Sequence, residues 1–111
     1  MATPAFRSDD RVLLLAIPSR TDLALIARVL LGGVLVALGD AEEVDAARQS
    51  MAEFDNVMFL NASPEQIPWR DAFFTKILVP PQFETLMPHI AGELHRVLAP
   101  DGQILRTAQE A

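Results

Sequence analysis

The chain has 111 residues, half of them hydrophobic, so one compact domain with one substantial core is expected. Nine Lys and Arg against fifteen Asp and Glu leave a formal net charge of −6, the wrong sign for a protein that gains affinity by neutralising phosphates, and no nucleic-acid partner is expected. The absence of cysteine excludes disulfides, zinc–thiolate sites and thiol nucleophiles.

The apolar run from Leu23 to Leu38 is the one stretch a hydropathy window flags, but it contains Arg28 and is split by Gly32 and Gly33. A spanning helix needs roughly 20 uninterrupted apolar residues, so the run reads as a helix, a glycine stop and a buried strand, with no membrane role. Val12 to Ile17 is too short for a signal peptide, follows Asp9 and Asp10, and precedes no small-residue cleavage site. A cytoplasmic protein is predicted, with residues 1–10 as an N-terminal tail and 11–111 as the domain.

In chain order, Val12 to Ile17 is a continuous apolar run closed by Pro18 and reads as a strand buried on both faces. Ser19 or Thr21 can cap the next helix, about Asp22 to Leu31, which carries Leu23, Ile26, Ala27 and Leu30 at helical spacing. Val34 to Leu38 is a second buried strand. Asp40 and Glu43 form a capping-box pair for a helix with Val44, Ala47, Met51 and Phe54 as its apolar stripe. A third strand is predicted over Val57 to Leu60, then a polar, proline-marked segment from Asn61 to Asp71, then a fourth strand from Phe74 to Val79 ended by Pro80 and Pro81. Gln82 to Leu98 is a helical region interrupted at Pro88, and Pro100-Asp101-Gly102 turns into a fifth strand, Gln103 to Thr107.

Alternating strands and helices predict an α/β, Rossmann-like doubly wound, mainly parallel five-stranded sheet in order 3-2-1-4-5, with any ligand beyond the carboxyl ends of the strands. Two stretches are more specific: Asp55 to Phe59 leading into Glu65 to Asp71 with Phe74, and Glu93-Leu94-His95-Arg96-Val97-Leu98-Ala99-Pro100-Asp101-Gly102. Over about residues 11 to 107 the chain resembles the class I S-adenosylmethionine-dependent methyltransferases, whose corresponding helix ends in Arg-Val-Leu before a Pro-Gly-Gly turn. The resemblance implies a methyltransferase fold and S-adenosylmethionine as cofactor. Both stretches are mainly structural, because Leu94, Val97 and Leu98 pack a helix on the sheet.

At the cofactor positions the sequence departs from that family. The family's first strand ends in Asp-x-Gly-x-Gly-x-Gly, where glycines let the backbone approach the cofactor. Here Leu14 stands for the Asp, and Ala16, Pro18 and Arg20 stand for the glycines. Pro18 lacks an N–H, and Arg20 puts a charged side chain where the methionine part lies. Leu38 replaces the acidic residue that holds the ribose hydroxyls, with Asp40 two residues on. Ser63 replaces the Asp for the adenine amino group, and Thr75 the Asp that opens the fourth strand. Each loss removes a hydrogen bond or a clearance, at about 1 to 3 kcal/mol apiece. The degenerate cleft is thus Ala16, Pro18, Ser19, Arg20, Leu38, Asp40 and Ser63, with no catalytic residue and no bound cofactor expected. If the site is active, S-adenosylmethionine is the cofactor.

Other constellations carry less. Val79-Pro80-Pro81-Gln82-Phe83 is similar to the Asn-Pro-Pro-aromatic motif of methyltransferases acting on nitrogen, yet Val79 and Gln82 replace the gripping residues and a strand-ending proline pair explains it. His89 and Glu93 share a helix face with His95 nearby, but two ligands make no metal site. Trp69 and Phe73 either border a ligand or anchor the loop after the third strand. Ser19, Arg20 and Thr21 at a helix N-terminus could hold a small carboxylate or phosphate, or Arg20 could pair with a surface carboxylate such as Asp40. The family pattern has a helix before the first strand and two strands after the fifth. Without them one edge and part of one face are expected to be open, covered by a second copy or another protein. Three functions follow: a non-catalytic binding or scaffolding module, a residual methyltransferase acting on a small molecule, and a small-anion sensor.

Overall fold

A computed structural model describes residues 6–106. Its elements are β1 (Arg11–Leu14), α1 (Arg20–Val29), β2 (Val34–Gly39), α2 (Ala41–Ser50), β3 (Val57–Asn61), β4 (Phe74–Val79), a 3-10 helix (Pro81–Leu86), α3 (Met87–Val97) and β5 (Leu98–Arg106). All four strand pairings are parallel, in the order β3-β2-β1-β4-β5, as the alternation of elements predicts.

Period-two alternation divides the core between two faces. Val12, Leu14, Leu35, Ala37 and Phe59 pack against Leu23 and Ile26 of α1, against Leu30 just after it, and against Val44 and Ala47 of α2. Leu13, Val36, Ile77 and Val79 pack on the other side with Ile90, Leu94 and Val97 of α3. Both faces being buried is why the strands read as unbroken apolar runs.

Several boundaries differ from the sequence reading. The first strand leaves the ladder after Leu14, although Leu15 stays buried: hydropathy marks burial, whereas strand assignment also needs a paired backbone. Helix α1 starts at Arg20, because Ser19 is the cap and its Oγ accepts the N–H of Asp22 at 3.2 Å. Pro88 does not interrupt a helix; it occupies the first turn of α3, where its missing N–H costs nothing. Strand β5 already pairs at Leu98, opposite Phe74, and Pro100-Asp101-Gly102 lies within a bulge before pairing resumes at Gln103 opposite Lys76. The expected end of that strand, Thr107, falls outside the described residues.

The start of the chain is tied to the sheet. Phe6 packs against the α1–α2 side of the core, and Asp10 is buried. The Asp10 carboxylate accepts the Arg7 N–H at 2.7 Å and the Thr75 hydroxyl at 2.8 Å, with the Lys76 ammonium 3.4 Å away. Burial pushes its pKa up, but the Arg7 N–H, the Thr75 hydroxyl and Lys76 together outweigh burial and hold it below the usual value. Gly33 permits the entry to β2 beside this group, since a Cβ there would lie 2.0 Å from the Asp10 carbonyl oxygen. Gly33→Ala is expected to lower unfolding stability by about 2 kcal/mol through overpacking, read by urea denaturation.

The end of α1 depends on a residue distant in sequence. The Asn56 side-chain amide donates to the carbonyls of Ala27 at 2.9 Å and Leu30 at 2.8 Å, satisfying groups the helix leaves open. Asn56→Leu removes both bonds and is expected to cost about 1 to 3 kcal/mol in the same measurement.

Candidate functional site

The carboxyl ends of β1, β2 and β4, with the loop after β3, form the region where the sequence places its candidate residues. Ala16 and Leu38 line a hollow of about 360 Å³ whose other walls include Gly39, Glu43, Ser63 and Phe83. Pro18 and Arg20 lie instead beside α2, lining a separate shallow surface with Ile17 and Glu43. Ala16 and Pro18 also meet in a third cavity, with Leu14, Ile26 and Leu78, so the cleft residues are neighbours around the ends of β1 and β2 but no single cavity joins them all.

Their polar groups are engaged locally. The Asp40 carboxylate accepts the Glu43 N–H at 2.8 Å, and Glu43 accepts the Asp40 N–H at 3.0 Å, which is the reciprocal cap the sequence predicts. Ser63 Oγ accepts the Glu65 N–H at 3.1 Å and helps turn the chain after β3. Arg20 does not meet Asp40: its guanidinium pairs closely with Glu53, and its Nε donates to the Ser50 carbonyl at 3.1 Å. The last residue of α2 and the turn after it supply the two partners, and Asp40 sits at the opposite end of that helix.

The apolar positions are more decisive. Leu38 is 1% exposed and belongs to the core on the α3 side. Ile17 lies across the end of β2, so close that a Cβ on Gly39 would sit 2.8 Å from Ile17 Cδ1 and 3.3 Å from Glu43 Oε1. A branched side chain that sequence reasoning treated only as part of a strand thus packs onto the end of β2 beside the hollow.

A clamp built on Arg96 holds the loop after β3. Its guanidinium donates to the carbonyls of Ile67 at 2.7 Å and Trp69 at 3.0 Å and pairs with Glu93 and Asp71 at 2.5 Å each. Glu93 in turn accepts the Ile67 N–H at 2.8 Å. Hydrogen bonds from Arg96 and from the Ile67 N–H hold the Glu93 carboxyl below its usual pKa, and the two carboxylates raise that of Arg96. The clamp seats Ile67 in the core and brings Trp69, Phe73 and Phe74 together, with ring centroids 5.0 to 5.7 Å apart. Trp69 and Phe73 are thus loop anchors. Glu93 holds this loop instead of pairing with His89 in a metal site, and no group of three or more His, Asp or Glu suited to a metal occurs among the described residues.

No protein-family model matches the chain, and no curated protein matches it. Solved structures do. YcgJ of Bacillus subtilis superposes with a TM-score of 0.74 at 22% identity, covering 90% of this chain and 44% of that one. An S-adenosylmethionine-dependent methyltransferase of Aquifex aeolicus gives 0.73 at 22% identity, over 85% of this chain and 53% of that one. The complex of the Haloferax volcanii Trm112 methyltransferase activator with a candidate methyltransferase gives 0.74 at 24% identity, over 88% and 44%. The chain has the class I methyltransferase-like fold, and it spans about half the length of the chains it matches.

The clamp has a measurable acid limit. Because the folded Glu93 pKa is lowered, its contribution is present above the unfolded value, about 4.3, and is lost as pH falls through the lower folded value. Glu93→Gln is expected to flatten the loss of stability below about pH 4. Arg96→Ala is expected to red-shift the emission of Trp69, the one tryptophan, as the loop loses its anchor.

Proposed function

We propose that this chain is a non-catalytic, methyltransferase-like binding or scaffolding module that acts through a protein interface. The observation that carries the reading is Ile17 packed onto Gly39, beside a buried Leu38. In the resembled family an acidic residue at the Leu38 position accepts the ribose hydroxyls, and glycines before α1 leave room for the rest of the cofactor. This chain offers an aliphatic side chain for the first and Ala16, Pro18 and Arg20 for the second. Its residues do not fit S-adenosylmethionine in that pose. Asp40 does not substitute, because its carboxylate is committed to the α2 cap. The anion-sensor reading loses its cation in the same way, since Arg20 is paired with Glu53.

Exposed apolar groups support the interface. Leu25, Val29 and Leu31, on α1 and just beyond it, are 48%, 42% and 84% exposed. The two sheet edges also differ. At β3 the Arg48 guanidinium donates to the Phe59 carbonyl at 3.0 Å, which shields that edge. At β5 the parallel register turns the backbone groups of Ile104 outward. A second copy of this chain, giving a homodimer, or another protein is the partner in this reading. One structural neighbour is a complex of a methyltransferase activator with a candidate methyltransferase. No helix among the described residues is long and apolar enough to cross a membrane, and the reading gives the chain no membrane or nucleic-acid role.

Calorimetric titration with S-adenosylmethionine, and separately with S-adenosylhomocysteine, tests the proposal. No heat of binding is expected at millimolar ligand. Micromolar binding would overturn it and restore the residual methyltransferase. Light scattering at micromolar concentration tests the second copy: a mass of one 12.2 kDa chain would eliminate the homodimer.

A further inference from the structure

The strand order reverses between β1 and β4, because the chain lays β2 and β3 on one side of β1 and then returns to place β4 on the other. In open parallel sheets such a reversal leaves a crevice beyond the carboxyl ends of the two strands, where ligands lie. Here the crevice holds a cavity of about 230 Å³ between the end of β1, the flank of α1 and the end of β4. It adjoins the hollow beside β2 that Leu38 and Ser63 line, with Leu15, Ala16 and Gln82 as the shared wall.

The lining of this cavity is selective. Leu14, Ile17, Ile26 and Leu78 provide apolar walls, while Pro18 and Pro80 contribute backbone without N–H donors. Those two residues offer an anion no donor, and Gln82 adds a neutral side-chain amide to the wall. Asp22 is the only ionisable residue in the wall. Its N–H is held by Ser19, and the neighbouring Arg20 guanidinium is directed to Glu53, so no ion pair occupies its carboxylate among the described residues.

We propose that this cavity binds a small apolar ligand carrying one positive charge, an arylalkyl- or alkylammonium ion. The hydrocarbon part fills the space over Leu14, Ile26 and Leu78, and the ammonium group reaches Asp22. The volume lies below the range of about 300 to 1,000 Å³ usual for drug-sized ligands, which limits the occupant to about one ring or a short chain. The net charge of −6 favours the approach of a cation. The site goes beyond the scaffolding reading and does not depend on it.

The test is titration of the full chain with phenethylammonium, with 2-phenylethanol and phenylacetate as neutral and anionic counterparts of similar shape, followed by amide chemical shifts. The ammonium is expected to shift Ala16, Ile17, Asp22 and Leu78, and to bind at least about tenfold tighter than the alcohol, the worth of one charge-assisted hydrogen bond. Asp22→Asn keeps the N–H that Ser19 accepts and is expected to erase that preference; Ala16→Leu fills the cavity and is expected to abolish binding of all three. Equal binding of ammonium and alcohol, shifts confined to other surfaces, or an unchanged preference in Asp22→Asn would overturn the site. Adding S-adenosylmethionine separately keeps the two readings apart, since its binding would overturn the scaffolding proposal while the ammonium comparison still decides this one.

Discussion

A parallel sheet has to be covered on both faces, and that requirement organises this molecule. On one face α1 and α2 supply the cover in the ordinary way, each crossing over from one strand to the next. On the other face the covering helix is α3, and much of the remaining area falls to an irregular segment between β3 and β4. An irregular segment cannot satisfy its own backbone and bury apolar side chains without help. Arg96 and Glu93 provide that help from α3, taking two carbonyls and one N–H of the loop and thereby placing Ile67 and the aromatic trio on the sheet. This is a structural use of charge on one face of a helix, and it accounts for the acid-and-base spacing in the Glu93 to Arg96 segment without catalysis.

The same requirement explains the cleft. Where a parallel sheet runs out, the carboxyl ends of its strands splay and leave space that a ligand or a side chain must occupy. Between β1 and β2, Ile17 packs against Gly39 and borders a hollow lined by Leu38 and Ser63. Between β1 and β4 the space stays open and apolar. The two gaps are adjacent, yet their chemistry differs: one is bordered by Leu38, Gly39 and Ser63, and the other has the Asp22 carboxylate at its wall.

Much of the fold could be read from the sequence because its signals are local. Continuous apolar runs place the strands, and the bounds of β4 emerge as Phe74 and Val79 because Pro80 and Pro81 close it. Asp40 and Glu43 announce a helix start through a bond between residues three apart. What could not be read depends on residues distant in sequence. The Asn56 cap of α1, the Thr75 hydroxyl on buried Asp10 and the Arg20 pair with Glu53 join positions about 30 to 65 apart, and no periodicity marks them. Arg20 shows the reason: its first turn of helix was legible, but the choice between Asp40 and Glu53 depends on which end of α2 lies beside it.

At the cleft, sequence and structure contribute different parts of one argument. Substitution of the family's glycines by Ala16, Pro18 and Arg20 says only that an ordinary cofactor loop is missing. A displaced loop could still have left room for a nucleoside, with Asp40 reaching in. The structure bears on that escape because Asp40 is held in a reciprocal cap and Ile17 lies over the strand end. For Asp40 to reach a nucleoside there the α2 cap would have to break, and for a ligand to lie against Gly39 the partly buried Ile17 would have to move. A cofactor that entered here would therefore have to offset both disruptions with contacts that the cleft no longer supplies.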